Sequence, residues 1–218
     1  MNFRGKQLKR FEVIVWLWAA AVCQAADWPR YGGPNCTGAS LETNLAHAWP
    51  AEGPRVLWTV DVGEGYAGPA VRDGEVYLVD RVPDTQDVLR CLELASGREL
   101  WKVAWDAPGK YAENGSRSIP TVDEKHVFVA GPLGEFQCVD RKSHAIVWSR
   151  HLVNDFKDPE IDISQSPTNR EDTLRRTQVP MWGITQAPLL YGDLVIVAPQ
   201  TQKTGVVAYE KATGKLRW

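Results

Sequence analysis

The sequence predicts an all-β fold: a β-propeller of four-stranded antiparallel blades, each blade one copy of a repeated unit. Three observations predict it. A stretch that begins with an acid and ends with Trp eight residues later occurs three times. A Pro stands ahead of each copy, at Pro69, Pro120 and Pro188. Between each Pro and its acid lie two short apolar runs joined by turn residues, the period-2 signature of paired strands.

The copies are Glu93-Leu-Ala-Ser96-Gly97-Arg-Glu-Leu-Trp101, Asp140-Arg-Lys-Ser143-His144-Ala-Ile-Val-Trp148 and Glu210-Lys-Ala-Thr213-Gly214-Lys-Leu-Arg-Trp218. Each unit offers four strands: one after the Pro, one after the first turn, one before the acid and one ending in Trp. Asp73-Gly74 suits a tight hairpin, with Asp123-Glu124 and Gly192-Asp193 at the matching places. In the second turn the carboxylate can accept local backbone N–H bonds, and Gly supplies a positive φ without a Cβ clash. His144 stands where the other copies have Gly, so that turn is expected to be less ideal.

A four-stranded sheet with two apolar faces cannot bury both alone, and stacking sheets around an axis solves this. A Trp at fixed register fills the gap between blades, and burying one indole is worth ~2–3 kcal/mol. Cys91 and Cys138 each lie two residues before the acid, where the third copy has Ala208. That position asks for a small apolar side chain, a role Cys fills without metal or redox chemistry. The blades are expected at about 66–101, 117–148 and 185–218, after a lead-in over 26–55 and a strand around Val56–Val60 with its own Trp58.

The bulk composition agrees. The 218 residues are 44% apolar and 24% charged, with 18 Gly and 14 Pro, a folded and turn-rich balance. A net charge of −2 offers no basic footprint for nucleic acid. Residues 1–25 read as a signal peptide: Arg4, Lys6, Lys9 and Arg10, then the apolar run Val13–Val22, then small residues that predict cleavage after Ala25 or Ala26. The run is short for a membrane span, the alternative being an uncleaved anchor. Without it 21 basic and 26 acidic side chains remain, a charge of −5. The mature chain is then exported, periplasmic or secreted, and not an integral membrane protein. Its three remaining Cys do not make a disulfide framework.

The acid-x-x-Ser/Thr-Gly-x-x-x-Trp unit resembles the tryptophan-docking repeat of pyrroloquinoline-quinone (PQQ) dehydrogenases. The propeller lipoprotein of the outer-membrane barrel-assembly machinery shares it. The opening Asp27-Trp-Pro-Arg-Tyr-Gly-Gly-Pro-Asn-Cys-Thr-Gly38 is similar to that of exported bacterial PQQ-like propellers. The resemblance covers about residues 27–218 and implies a ring of seven or eight blades. Three repeats and a lead strand do not close such a ring, so this sequence is expected to be the N-terminal part of a longer protein.

Propeller ligands gather at one mouth of the channel, lined by the loops that lead into each Pro. Those loops supply Glu64 and Tyr66, Arg117 and Ser118, and Trp182 and Gln186 as candidate cofactor-binding residues. An aromatic floor and an Arg suit the ring and carboxylates of a quinone, so the resemblance implies PQQ with calcium as the cofactor to test. The residues themselves fix no cofactor and no catalytic group. An insertion over 151–183 is either a lid or a disordered excursion, with helical turns expected over 171–177 capped by Asn169. The sequence has no adjacent Cys pair, no recognisable calcium set, no phosphate-binding loop and no hydrolase or metalloprotease motif, and its four His are scattered. Two readings follow. One is a non-catalytic scaffold of the cell envelope that binds a protein partner or ligand. The other is a PQQ-dependent alcohol or polyol dehydrogenase acting on a small alcohol or sugar. Fold does not choose between them.

Overall fold

The first blade is a single antiparallel sheet of four strands in chain order, β1 (Ala70–Arg72), β2 (Glu75–Val82), β3 (Gln86–Glu93) and β4 (Glu99–Asp106). The second repeats it with β5 (Thr121–Val122), β6 (His126–Ala130), β7 (Glu135–Asp140) and β8 (Ile146–His151). The third holds β9 (Leu189–Tyr191), β10 (Leu194–Val197) and β11 (Val207–Glu210). On its outer edge Leu216 bridges to Tyr209, and Ala208 N–H donates to Trp218 O at 2.9 Å. This computed structural model describes residues 26–43, 45–109, 115–157, 182–201 and 203–218. The signal segment 1–25, the turns expected over 171–177 and most of the 151–183 insertion lie outside them. No helix among the described residues is long and apolar enough to cross a membrane.

The architecture is a β-propeller of four-stranded antiparallel blades. Each repeat Pro sits immediately before the inner strand of its blade, where its missing N–H takes no ladder bond from the sheet. Asp73 and Gly74 both take positive φ, 52° and 78°, which makes the first hairpin a type I′ turn. The second turn is the same in all three blades. The N–H of Gly97, His144 and Gly214 returns to the carbonyl of Glu93, Asp140 and Glu210 at 2.8–2.9 Å. The carboxylates differ in part. Asp140 Oδ1 accepts from the N–H of Lys142 and Ser143 at 3.1 and 2.7 Å, as expected. The Ser143 hydroxyl donates to Asp140 as well, and the hydroxyls of Ser96 and Thr213 donate in the same way to the longer Glu93 and Glu210.

Two strand expectations change. The outer strands do not end at Trp: β4 and β8 run on to Asp106 and His151. They do so because β3 and β7 offer ladder partners along their whole length, Asp106 against Gln86 and His151 against Glu135. Residues 56–60 form no strand, yet Trp58 docks like its counterparts, donating from Nε1 to Leu94 O at 2.9 Å.

That docking explains the Gly of the repeat. A Cβ on Gly97 would come within 2.6 Å of the Trp58 ring, and one on Gly214 within 2.6 Å of Trp148. So each Trp lies flat on the turn of the following blade. His144 keeps the same left-handed backbone at φ 60° and stacks its ring on Trp101, centroids 4.7 Å apart and 16° from parallel. The turn expected to be less ideal is thus compensated by the stack. Gly214→Ala is expected to lower stability by about 1–3 kcal/mol through overpacking alone, with the left-handed φ of 65° adding to the loss. Urea unfolding of the pair measures it.

A bulge precedes both docking Trp residues. Register slips between Cys91 and Leu92 and between Cys138 and Val139, leaving Leu100 and Val147 as the extra residues. The bulge re-aims the indole toward the neighbouring blade. Cys91 and Cys138 pair directly with Trp101 and Trp148 and are fully buried. Burial pushes both thiols up to about 12, which keeps them protonated and unreactive. The core lies between blades: Tyr77, Leu89 and Cys91 of the first meet Val127, Val129 and Val139 of the second. Phe128, Phe136 and Trp148 of the second meet Val195, Val207 and Tyr209 of the third.

Candidate functional site

Antiparallel connectivity places the β2–β3 and β6–β7 hairpins at the same end as the loops that lead into each Pro. Three such loops are joined by main-chain and hydroxyl bonds. Tyr66 N–H donates to Ser116 O at 2.7 Å, tying the first loop to the second. Ser118 Oγ donates to Gln186 O at 2.8 Å and Thr121 Oγ1 to Pro188 O at 2.6 Å, tying the second to the third. The lead-in joins them from the inner edge: Trp28 exchanges both main-chain bonds with Val71, and Val122 N–H donates to Pro29 O.

This stitching forms a cleft of about 450 Å³ lined by Tyr31, Tyr66, Arg117, Thr185 and Gln186 among others. The Arg117 guanidinium carbon lies 4.6 Å from the Tyr66 ring centre and 5.8 Å from that of Trp182. Both rings are substantially exposed, 62% and 48%, so each keeps surface within reach of a ligand. A guanidinium held against aromatic faces recognises carboxylates and planar anions, with the rings as a stacking floor.

Of the six residues singled out from sequence, the structure brings Tyr66, Arg117 and Gln186 to the cleft and sets Trp182 against Arg117. Ser118 is fully buried and spends its hydroxyl on Gln186 O, so it braces the cleft rather than facing a ligand. Glu64 stands apart. Its main chain exchanges both bonds with Arg81, and it lines a shallow recess with Gly63, Gly65 and Tyr66. Sequence reasoning missed Tyr31. It lies in the lead-in, and only the pairing of Trp28 with β1 carries it to the cleft.

Beneath the first two loops lies a buried polar cluster. Arg81 and Asp87 are both fully buried, with Nη1 to Oδ1 at 2.7 Å. The other arm of Arg81 donates to Ala107 O at 2.6 Å and Gly109 O at 2.8 Å, holding the start of the loop that carries Arg117. Burial pushes the Asp87 carboxyl up to about 6 despite Arg81. Asp80, next to Arg81, accepts from Arg90 Nε at 2.7 Å and from Gly63 N–H at 2.6 Å.

Tyr66, Trp182 and Arg117 suit the ring and carboxylates of a quinone. No three His, Cys, Asp or Glu side chains gather as a metal site among the described residues.

A family profile described as outer membrane protein assembly factor BamB matches residues 84–218, more than half of the chain. Tetrathionate hydrolase of Acidithiobacillus ferrooxidans is 29% identical over 114 residues, covering 45% of this chain and 22% of that protein. Among solved structures, a europium-containing methanol dehydrogenase aligns at 17% identity with a TM-score of 0.49, over 75% of this chain and 26% of that one. BamB from Moraxella catarrhalis aligns at 17% identity with a TM-score of 0.44, over 76% and 40%. The chain therefore spans less than half the length of each of these relatives. The family match takes in the second turn of all three sheets and the bulges of the first two, and the chain belongs to the PQQ-repeat β-propeller family described as outer membrane protein assembly factor BamB.

Proposed function

We propose that this protein is a non-catalytic binding scaffold of the bacterial cell envelope, exported by residues 1–25, whose stitched cleft receives a carboxylate-bearing segment of a protein partner. The observation that carries this reading is the Arg117 guanidinium, set 4.6 Å from Tyr66 and 5.8 Å from Trp182 at an open cleft. The arrangement offers a cation and two aromatic rings, which suit recognition of a carboxylate-bearing partner. The BamB-type family match supports a protein partner in the same way.

The test is site-specific photocrosslinking in cells from position 186, which lines the cleft. The expected result is a discrete envelope-protein adduct that falls at least tenfold in Arg117→Glu and is unchanged in Arg72→Glu on the opposite face. Reconstitution with PQQ and calcium supplies the opposing result. A quinone absorbance change with dye reduction across an alcohol panel would replace the scaffold by a dehydrogenase.

A further inference from the structure

Between the first two blades, one carboxyl oxygen from each of two acids faces a single spot without a hydrogen-bond partner. Asp87 is fully buried and Glu135 almost so. Asp87 Oδ1 is taken by Arg81, but among the described residues Asp87 Oδ2 and Glu135 Oε2 have no hydrogen-bond partner. Both oxygens crowd the point where a Cβ on Gly131 would sit, Glu135 Oε2 at 3.1 Å. Glycine at 131 is what lets the two blades bring these groups together. Two buried carboxylates against one guanidinium leave a net negative charge out of water, which is costly.

Something must occupy that spot. A metal cation would find no third His, Cys, Asp or Glu among the described residues, and the Arg81 guanidinium beside Asp87 repels it. A proton needs only the two oxygens. We propose that Asp87 and Glu135 form a buried proton-binding site between the blades, taking up one proton as a pair as the medium turns mildly acidic.

The groups facing the pair are few. From β2 come Arg81, bonded to Asp87, and Asp80, whose charge is met by Arg90 of β3. From β8 comes His151, with Nε2 3.9 Å from Glu135 Oε1 and its basicity lowered by burial. Burial also raises the Glu135 carboxyl, and burial chiefly, with the Glu135 charge adding, raises that of Asp87. A carboxyl raised in the folded chain stabilises it fully below the ordinary carboxylate range. That stabilisation is lost as pH climbs through about 6. The consequence reaches the cleft, since Arg81 holds Ala107 and Gly109 through its guanidinium and Glu64 through its main chain. Mild acid firms both loops, and neutral pH loosens them. This does not rest on what the cleft binds.

The experiment is equilibrium unfolding of the full chain across pH, for the parent, Glu135→Gln, Asp87→Asn and the double variant. The unfolding constant of the parent is expected to rise roughly hundredfold between about pH 4 and pH 7, the size a two-unit shift implies. Glu135→Gln carries an amide that can donate to Asp87 Oδ2. It is expected to move the pH midpoint toward acid and to be no less stable than the parent at pH 7.5. The double variant is expected to lose the step, with effects that do not add. Where Asp87→Asn fails to fold, Glu135→Gln alone decides. A midpoint unmoved by Glu135→Gln overturns the pair. So does a step that His151→Gln abolishes, which assigns the proton to the imidazole. A further refutation is a melting point raised by calcium and lowered by chelator in the parent but not in Glu135→Gln, which puts a cation there instead.

Discussion

Replacing Trp148 with Ala is expected to cost about 3–5 kcal/mol of folding stability, the largest effect of any single core truncation in these blades. The indole is 8% exposed and is surrounded on every side. Phe136 meets it edge-on at 5.3 Å, Phe128 and Tyr209 lie at 6.1 and 6.2 Å, and Gly214 presents bare backbone to its face. Its Nε1 donates to Lys211 O at 2.8 Å, so truncation leaves that carbonyl only the weak Cys138 thiol donor at the blade boundary. The Gly214 turn cannot collapse into the cavity, because its shape is fixed by the bond from Gly214 N–H to Glu210 O. Denaturant unfolding measures the loss. Trp182→Ala supplies the contrast: that ring is 48% exposed, so the change is expected to leave stability within about 0.5 kcal/mol and to weaken capture at the cleft.

Arg81→Leu is expected to cost a similar 3–5 kcal/mol at pH 7.5, because it leaves the Asp87 carboxylate buried without its counter-charge. The loss has a diagnostic pH dependence. Without Arg81 the Asp87 carboxyl rises further above its ordinary range, and a protonated Asp87 needs no cation. The penalty therefore shrinks as pH falls from 7.5 toward 5 and grows as it rises, in a window set above the ordinary carboxylate range by the raised Asp87 carboxyl. Unfolding at the two pH values gives the comparison, and an equal loss at both would show that Asp87 stays ionised throughout. The variant also releases Ala107 O and Gly109 O. Limited proteolysis after residue 107 is expected to speed up with it.

The blades were legible because each piece of the repeat is local. A tight turn needs residues that accept positive φ, a strand needs alternation, and a docking Trp needs a small partner, so Asp73-Gly74, Val76–Val79 and the Cys91, Cys138 and Ala208 series announce themselves. The bulges at Leu100 and Val147 were not legible, since one extra residue in an outer strand leaves the motif spacing intact. Nor was the second duty of the repeat Gly. Positive φ predicts Gly97 and Gly214, but the approach of Trp58 and Trp148 to within 2.6 Å depends on a neighbouring blade. The His144 stack on Trp101 shows the same dependence: a residue that looks wrong for its turn is suited to its neighbour.

The candidate site divides along the same line. The sequence by itself determined the loops and the chemistry they carry, with Tyr66, Arg117 and Gln186 each just ahead of a repeat Pro. Only the tertiary structure decided which side chains meet. It drew Tyr31 in from the lead-in, tied the Glu64 main chain to Arg81, buried Ser118 as a brace, and set Asp87 of one blade against Glu135 of the next. The reason is physical. Turn chemistry and strand period are set within a few neighbours along the chain. Contacts between blades depend on register and on the aim of bulged strands, and desolvation of a charge depends on what another blade places over it.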